Sequence, residues 1–260
     1  MTFQNDLSFF DRPEILNFIF YPRQDFGVSK AGTTYFIEVE DGIKIGCRFY
    51  FKKNYPSILY FHGNGETVGD YDDVAPLFNQ RGINLFVADY RGYGLSNGMP
   101  TMTNLIKDAH PIFKGFKEII EKEGCNKNLF LMGRSLGSIP AIELAYHYQS
   151  EISGLVIESG SADFLRLLSI FGIEPESSLK EKLERTSNRA KIRSISKPSL
   201  IIHAEYDSLI PLKEGIELYE NSKAENKELF IIPGADHNDL WFIGGDKYYI
   251  KIEEFIKSHS

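Results

Sequence analysis

The sequence has few cysteines and no long apolar run. Cys47 and Cys125 are the only cysteines among 260 residues, which is too few for a disulfide framework. We expect both to be buried or partly buried thiols in a reducing compartment. No apolar stretch is long enough to span a bilayer. The first residues show no basic region followed by an apolar core, so we expect no signal peptide and a cytoplasmic location.

Motifs for metals, nucleotides and nucleic acids are also missing. No His-Glu-x-x-His or similar ligand spacing occurs, and there is neither a dinucleotide fingerprint nor a phosphate-binding loop. Basic residues are scattered and the formal net charge is −7, which argues against nucleic acid and against an anionic membrane surface. We therefore expect no metal, no cofactor, no nucleic-acid partner and no membrane span. The oligomeric state is left open.

What the sequence does contain is a Gly-x-Ser-x-Gly pattern at 133–137. It follows the apolar run 129–132 and precedes a helix-compatible segment, which is the context of a nucleophile elbow. Gly133 and Gly137 leave room for the tight turn, because a side chain at either position would collide with the strand or helix. We interpret Ser135 as a nucleophile and the backbone N–H of Leu136 as one oxyanion donor.

Two later strands end in residues that would complete a catalytic triad. The buried run 199–204 leads to Asp207, and the run 228–232 leads to His237. The carboxyl ends of parallel strands meet at the edge of the sheet where ligands bind. We expect His237 to act as general base towards Ser135 and Asp207 to orient its imidazole.

Several other residues are candidates for the acid or for supporting contacts around the triad. Glu205 and Asp163 are alternative acids, although the position after the seventh strand favours Asp207. Arg134 is either a buried ion-pair partner that braces the elbow or a substrate contact. We expect His62 to hold the oxyanion loop by hydrogen bonds.

Strand and helix patterns alternate along most of the chain. Strands at 33–40 and 43–51 are joined by Asp41-Gly42, a hairpin signal. The later alternation predicts a mostly parallel sheet with helices on both faces, antiparallel at its N-terminal edge. Helices are expected at 70–81, 105–123 and 246–259, and Pro111 should kink or restart the second of these.

The chain resembles a known family, the serine hydrolases of the α/β-hydrolase superfamily. More narrowly, it is similar to the Bem46-like group and the α/β-hydrolase domain-containing proteins 13 and 17 (ABHD13 and ABHD17). The motifs that carry the resemblance are Leu59-Tyr60-Phe61-His62-Gly63-Asn64-Gly65, Asp89-Tyr90-Arg91-Gly92-Tyr93-Gly94-Leu95-Ser96, Gly133-Arg134-Ser135-Leu136-Gly137 and Asp236-His237-Asn238-Asp239-Leu240-Trp241.

The resemblance implies an α/β-hydrolase fold formed by a single domain over residues 1–260. The second oxyanion donor would then come from the loop after the third strand, at Asn64 or Gly65. Related eukaryotic proteins often carry a membrane anchor ahead of the hydrolase domain, and this sequence shows no such segment.

Two segments depart from the alternating pattern. We expect residues 1–32 to form an N-terminal arm that packs against the domain. We expect residues 159–197 to form a small cap insertion after the sixth strand. The apolar side chains near the cap either line an acyl pocket above Ser135 or simply cover the sheet. The candidate pocket residues are Phe164, Leu167, Leu168, Phe171 and Trp241.

Together these features predict a serine hydrolase. It would cleave carboxylic ester or thioester bonds of an apolar acyl substrate, either a small molecule or an acylated partner, through an acyl-enzyme intermediate. A serine peptidase or amidase on the same fold is the alternative. A non-catalytic binding protein is a third hypothesis, because one fold hosts many functions.

Overall fold

One eight-stranded sheet organises the chain. The computed structural model describes residues 7–25, 27, 29, 31–170 and 172–260. The strands lie in the order β1-β2-β4-β3-β5-β6-β7-β8. Their bounds are β1 Thr33–Glu40, β2 Ile43–Tyr50, β3 Ser57–Phe61, β4 Asn84–Ala88, β5 Leu129–Arg134, β6 Gly154–Glu158, β7 Ser199–Ala204 and β8 Lys227–Ile232.

Only β2 runs opposite to the other strands of the sheet. β1 pairs with β2 and β2 with β4 in antiparallel register, whereas the pairs from β4 to β8 are all parallel. The β1–β2 turn contains Gly42 at φ 71°, a left-handed conformation that glycine adopts without steric cost. The predicted parallel sheet with an antiparallel N-terminal edge is confirmed.

Helices flank the sheet on both faces. Their bounds are α1 Pro13–Ile19, α2 Ala75–Gln80, α3 Met102–Lys122, α4 Ser138–His147, α5 Phe164–Ile170, α6 Ser177–Glu184, α7 Asn188–Ile192, α8 Leu212–Asn221 and α9 Leu240–Ser258. Within the described residues, none of these helices is both long and apolar enough to cross a membrane.

The core is divided by the sheet into two parts. Leu59 and Phe61 of β3 pack into the cluster that includes α1, α3 and α4. Ile58 and Tyr60 of the same strand pack into the cluster with α2 and α9. Successive side chains of a strand point to opposite faces, so fully buried strands supply both clusters. This arrangement fixes the carboxyl ends of β3, β5, β7 and β8 at one edge.

Two predicted helices begin at other residues in the structure. A capping box between Thr67 and Asp70 starts a short 3-10 turn at Val68–Tyr71, which ends before α2 begins. α3 starts at Met102, three residues earlier than predicted, because the Thr101 side chain accepts from Asn104 N–H at 3.0 Å. It runs on through Pro111 as one helix.

The last helix is also longer than predicted. α9 begins at Leu240 rather than at residue 246, and the two parts meet at a break where Gly245 has φ 48° and ψ −138°. That backbone conformation is costly for any other residue.

Both cysteines are free thiols, Cys47 buried and Cys125 partly buried.

Candidate active site

The turn after β5 holds Ser135 in a strained conformation. Its φ is 51°, a left-handed value that is rare for serine. A Cβ at Gly133 would lie 2.1 Å from the Gly137 carbonyl oxygen, and a Cβ at Gly137 would lie 2.0 Å from that of Phe61. Both distances are impossible for real side chains, so only glycine allows the turn to close against β3.

Ser135, His237 and Asp207 form one hydrogen-bonded chain. His237 Nε2 lies 3.0 Å from Ser135 Oγ. On the other side of the ring, Nδ1 lies 2.9 Å from Asp207 Oδ1 and 2.8 Å from Oδ2. Asp207 and His237 are both buried. The imidazole is therefore positioned to accept the serine proton at Nε2 while the carboxylate holds a proton on Nδ1.

Backbone groups fix the Asp207 carboxylate independently of the histidine. Oδ1 accepts from Leu209 N–H at 3.1 Å and from Ile210 N–H at 2.7 Å. Burial raises the pKa of Asp207, but the hydrogen bonds with His237 and Ile210 outweigh it and leave the pKa below its ordinary value. A carboxylate that accepts several hydrogen bonds stays ionised. This keeps a negative charge beside the imidazole.

The alternative acids lie in other contacts. Glu205 accepts from Gly234 N–H at 2.9 Å. Asp163 accepts from Leu165 N–H at 3.1 Å and pairs with Arg189 at 3.4 Å. Neither contact involves the imidazole, so the structure brings Asp207 to His237 and uses the other two carboxylates elsewhere.

Aspartates in the loop after β8 shape the backbone around His237. Asp236 Oδ1 accepts from Ser208 N–H and from His237 N–H, both at 2.7 Å. Asp239 accepts from Asp236 N–H at 2.7 Å. The loops after β7 and β8 are thereby joined, which holds the acid and the base at a fixed separation.

The loop after β3 approaches the same point. Leu136 and Asn64 line one cavity together with Ser135. The Leu136 N–H lies in the first turn of a short 3-10 helix, where backbone donors have no intrahelical partner. Gly65 has φ 77° and lies outside the residues that line this cavity. His62 is fully buried, with Nε2 3.2 Å from Asp89 and Nδ1 2.8 Å from the Gly63 carbonyl.

Arg134 links the end of β6 to the loops after β3 and β8. Its Nε lies 3.1 Å from Glu158, and Nη2 donates to the His237 carbonyl at 2.7 Å. Nη1 forms an ion pair with Glu66, whose other oxygen accepts from Gly63 N–H at 2.9 Å. Burial lowers the pKa of Arg134, but the carboxylates raise it more, so the guanidinium stays charged. These contacts support the ion-pair interpretation.

An apolar cavity of about 260 Å³ opens beside Ser135. The predicted pocket residues Phe164, Leu167 and Leu168 line it, and Phe171 lies outside the described residues. The structure adds wall residues that sequence patterns did not indicate, because they come from other segments. These are Phe18, Ile19 and Tyr21 of the arm, and Leu209 and Ile210 after β7.

The assignment of Trp241 to this pocket is wrong. Its Nε1 donates to Glu158 at 2.9 Å, and its ring packs against Tyr71 at 5.6 Å between centroids. It lines a separate hollow of about 100 Å³ with Glu66 and Arg134. Trp241 follows His237 closely in sequence, but the backbone turns into α9 between them and carries the indole away from Ser135.

Side chains for metal binding do not cluster in the part of the chain that is described. No group of three or more histidine, cysteine, aspartate or glutamate side chains there is arranged to hold a metal ion.

Known proteins match both the sequence and the fold. The family model described as serine aminopeptidase S33 matches residues 52–167. The human α/β hydrolase domain-containing protein 17B is 28% identical over 77% of this chain and 66% of its own length. The protein bem46 of Schizosaccharomyces pombe is 28% identical over 77% of this chain and 67% of its own length. In sequence the chain is therefore similar to the Bem46-like group of α/β hydrolases.

Solved structures of α/β-hydrolase esterases share the fold of this chain. An esterase from Pyrococcus furiosus superposes with a TM-score of 0.75 at 21% identity, covering 93% of this chain and 98% of its own. The esterase Est1E of Butyrivibrio proteoclasticus with bound ferulic acid gives 0.71 at 17% identity, over 86% and 98%. The predicted α/β-hydrolase fold is thus confirmed. The chain spans about two thirds of the length of the sequence relatives.

Proposed function

We propose that this protein is a serine hydrolase that cleaves carboxylic ester or thioester bonds of an apolar acyl substrate. One observation carries the proposal. Ser135 is the end of the hydrogen-bonded Ser135–His237–Asp207 chain and also lines the apolar cavity. An acyl group in that cavity would place its carbonyl carbon at the nucleophile. An ester of a small molecule and an acyl group on a larger partner present the same reacting atoms.

The reaction follows from the protons that these atoms can exchange. Ser135 Oγ attacks the carbonyl carbon while His237 Nε2 takes the hydroxyl proton. The charge that develops on the carbonyl oxygen is met by the N–H of Leu136 and a second N–H from Asn64 or Gly65. Collapse expels the alcohol or thiol, which takes the proton from Nε2 and leaves Ser135 acylated. Water then attacks the acyl-enzyme with the imidazole again acting as base.

A peptidase is the second candidate, because the matched family model is described as serine aminopeptidase S33. An aminopeptidase must bind the charged amino group of its substrate, which calls for a negative group near the nucleophile. Among the described residues that line the cavity, none is acidic. The composition of the cavity therefore supports the acyl hydrolase over the aminopeptidase.

A fluorophosphonate probe tests the mechanism directly. We expect it to label Ser135 in the wild-type protein, to label Ser135→Ala not at all and to label His237→Ala far less. Hydrolysis of p-nitrophenyl esters, compared with that of aminoacyl anilides, then separates the two substrate classes. A protein that is folded but remains unlabelled would refute the proposed hydrolase.

A further inference from the structure

The cavity beside Ser135 is built from two segments that are far apart in sequence. Phe164, Leu167 and Leu168 come from α5, whereas Phe18 and Ile19 come from α1 in the N-terminal arm. Ile19 is buried, and Phe18 is 37% exposed. The arm thus contributes one buried and one exposed side chain to the wall of the cavity.

The arm and α5 also contact each other directly. The rings of Phe10 and Phe164 meet edge to face with their centroids 5.8 Å apart. Ile15, on the same helix as Ile19, is fully buried in the main core. Contacts of this kind give the arm a defined position, so that its side chains present a fixed surface to the cavity.

Polar contacts fasten the end of the arm to the oxyanion loop. The Asn64 side chain donates to the Ile19 carbonyl at 2.5 Å and accepts from Tyr21 N–H at 3.0 Å. The Tyr93 hydroxyl donates to the same Asn64 oxygen at 2.7 Å. Further along, Arg23 Nε donates to the Gly65 carbonyl at 3.2 Å. Asn64 therefore uses both ends of its amide to hold the backbone on either side of Phe20.

We propose that residues 7–21 of the arm form the wall that sets the length of the acyl chain, and that the enzyme prefers acyl groups of medium length. This inference rests on the proposed function. The cavity of about 260 Å³ is many times the roughly 10–15 Å³ that one water molecule needs, so it has room for a chain of several methylene groups. Ile19 and Phe18 are the side chains of the arm that limit this space.

The test is a chain-length profile of kcat/KM measured with p-nitrophenyl esters from acetate to hexadecanoate. The wild-type profile should peak at an ester of medium chain length and fall towards hexadecanoate. Ile19→Ala removes part of the wall, and each methylene that gains a buried position is worth about fourfold. We therefore expect the ratio of dodecanoate to hexanoate hydrolysis to rise about tenfold or more. Phe18 is 37% exposed, so Phe18→Ala should raise the same ratio with little loss of stability.

Ile15→Ala is the matched control, because it truncates a buried isoleucine of the same helix that lies outside the cavity lining. Thermal unfolding will show whether the two isoleucine variants lose similar stability. We expect Ile15→Ala to keep the wild-type ratio. If Ile19→Ala and Phe18→Ala also keep it, the arm does not set chain length.

The acetate ester separates this inference from the proposed function, since its two-carbon acyl group leaves most of the cavity of about 260 Å³ unfilled. Acetate hydrolysis and probe labelling that persist, together with a ratio that none of the variants changes, would overturn the role of the arm alone. A wild-type protein that cleaves no ester and is not labelled would overturn the proposed function and this inference with it.

Discussion

Replacing Asp207 by asparagine should remove nearly all activity while leaving the backbone in place. Oδ1 of the carboxylate accepts two backbone N–H groups, from Leu209 and Ile210. The asparagine oxygen must take this position, because an amide NH₂ would face two donors there. Its nitrogen then occupies the place of Oδ2, which lies 2.8 Å from His237 Nδ1.

That exchange favours the wrong tautomer of the histidine. The asparagine oxygen would also lie 2.9 Å from Nδ1, but the N–H groups of Leu209 and Ile210 already occupy its two lone pairs. With a donor facing Nδ1, the imidazole must carry its proton on Nε2, where it faces Ser135 Oγ at 3.0 Å. It can then no longer accept the serine proton. Loss of the correct tautomer in such a triad costs about 10⁴-fold in kcat, which corresponds to about 5 kcal/mol of transition-state stabilisation.

The assay is kcat/KM on a medium-chain p-nitrophenyl ester, together with a urea unfolding curve for each variant. Asp236→Asn is the matched control, because Asp236 contacts the backbone of His237 and the loop of Asp207 but not the imidazole. We expect this control to retain far more activity than Asp207→Asn. An Asp207→Asn enzyme that is folded and within tenfold of wild type would refute the tautomer argument.

Further substitutions test the elbow, the buried ion pairs and the response to acid. Gly137→Ala places a Cβ against a β3 carbonyl oxygen and should cost about 1–3 kcal/mol in urea unfolding as well as activity. Arg134→Met leaves Glu158 buried without its cation and should cost about 3–5 kcal/mol, part of which a second change, Glu158→Gln, should restore. Burial raises the pKa of Glu143, but His110 and Lys191 lower it more, to about 2. Its ionised form therefore stabilises the fold above about pH 4.5, and this contribution is lost as the pH falls towards 2. The advantage of wild type over Glu143→Gln, up to about 3 kcal/mol at pH 7, should therefore shrink in urea unfolding at pH 3.

The sheet and the three residues of the hydrogen-bonded chain were predictable because their signals are local. Each inner strand is a short apolar run, since it is buried on both faces. Ser135, Asp207 and His237 each follow such a run within a few residues, and parallel strands bring these ends to one edge. Helix ends were less predictable, because they depend on caps such as Thr101 and on single glycines such as Gly245.

The cavity could be predicted only in part, because its walls depend on tertiary packing. The apolar run of α5 indicated a pocket or a cover, and periodicity could not distinguish these. Trp241 follows His237 closely in sequence, yet its indole N–H donates to the buried carboxylate of Glu158 and the ring lies outside the cavity. The arm carries only a short apolar pattern, which packing alone would explain.

Asn64 shows why the place of the arm in the cavity wall could not be predicted and how the arm is linked to the oxyanion loop. The sequence motif indicates a role for its backbone N–H, which is independent of the side chain. The structure shows the side chain holding the Ile19 carbonyl and Tyr21 N–H, so one residue belongs to both the oxyanion loop and the acyl wall. A shift of the arm must therefore act on that loop as well. Changes that loosen the arm at this point should lower kcat together with chain-length selectivity, whereas changes deeper in the cavity, at Leu168, should affect selectivity alone.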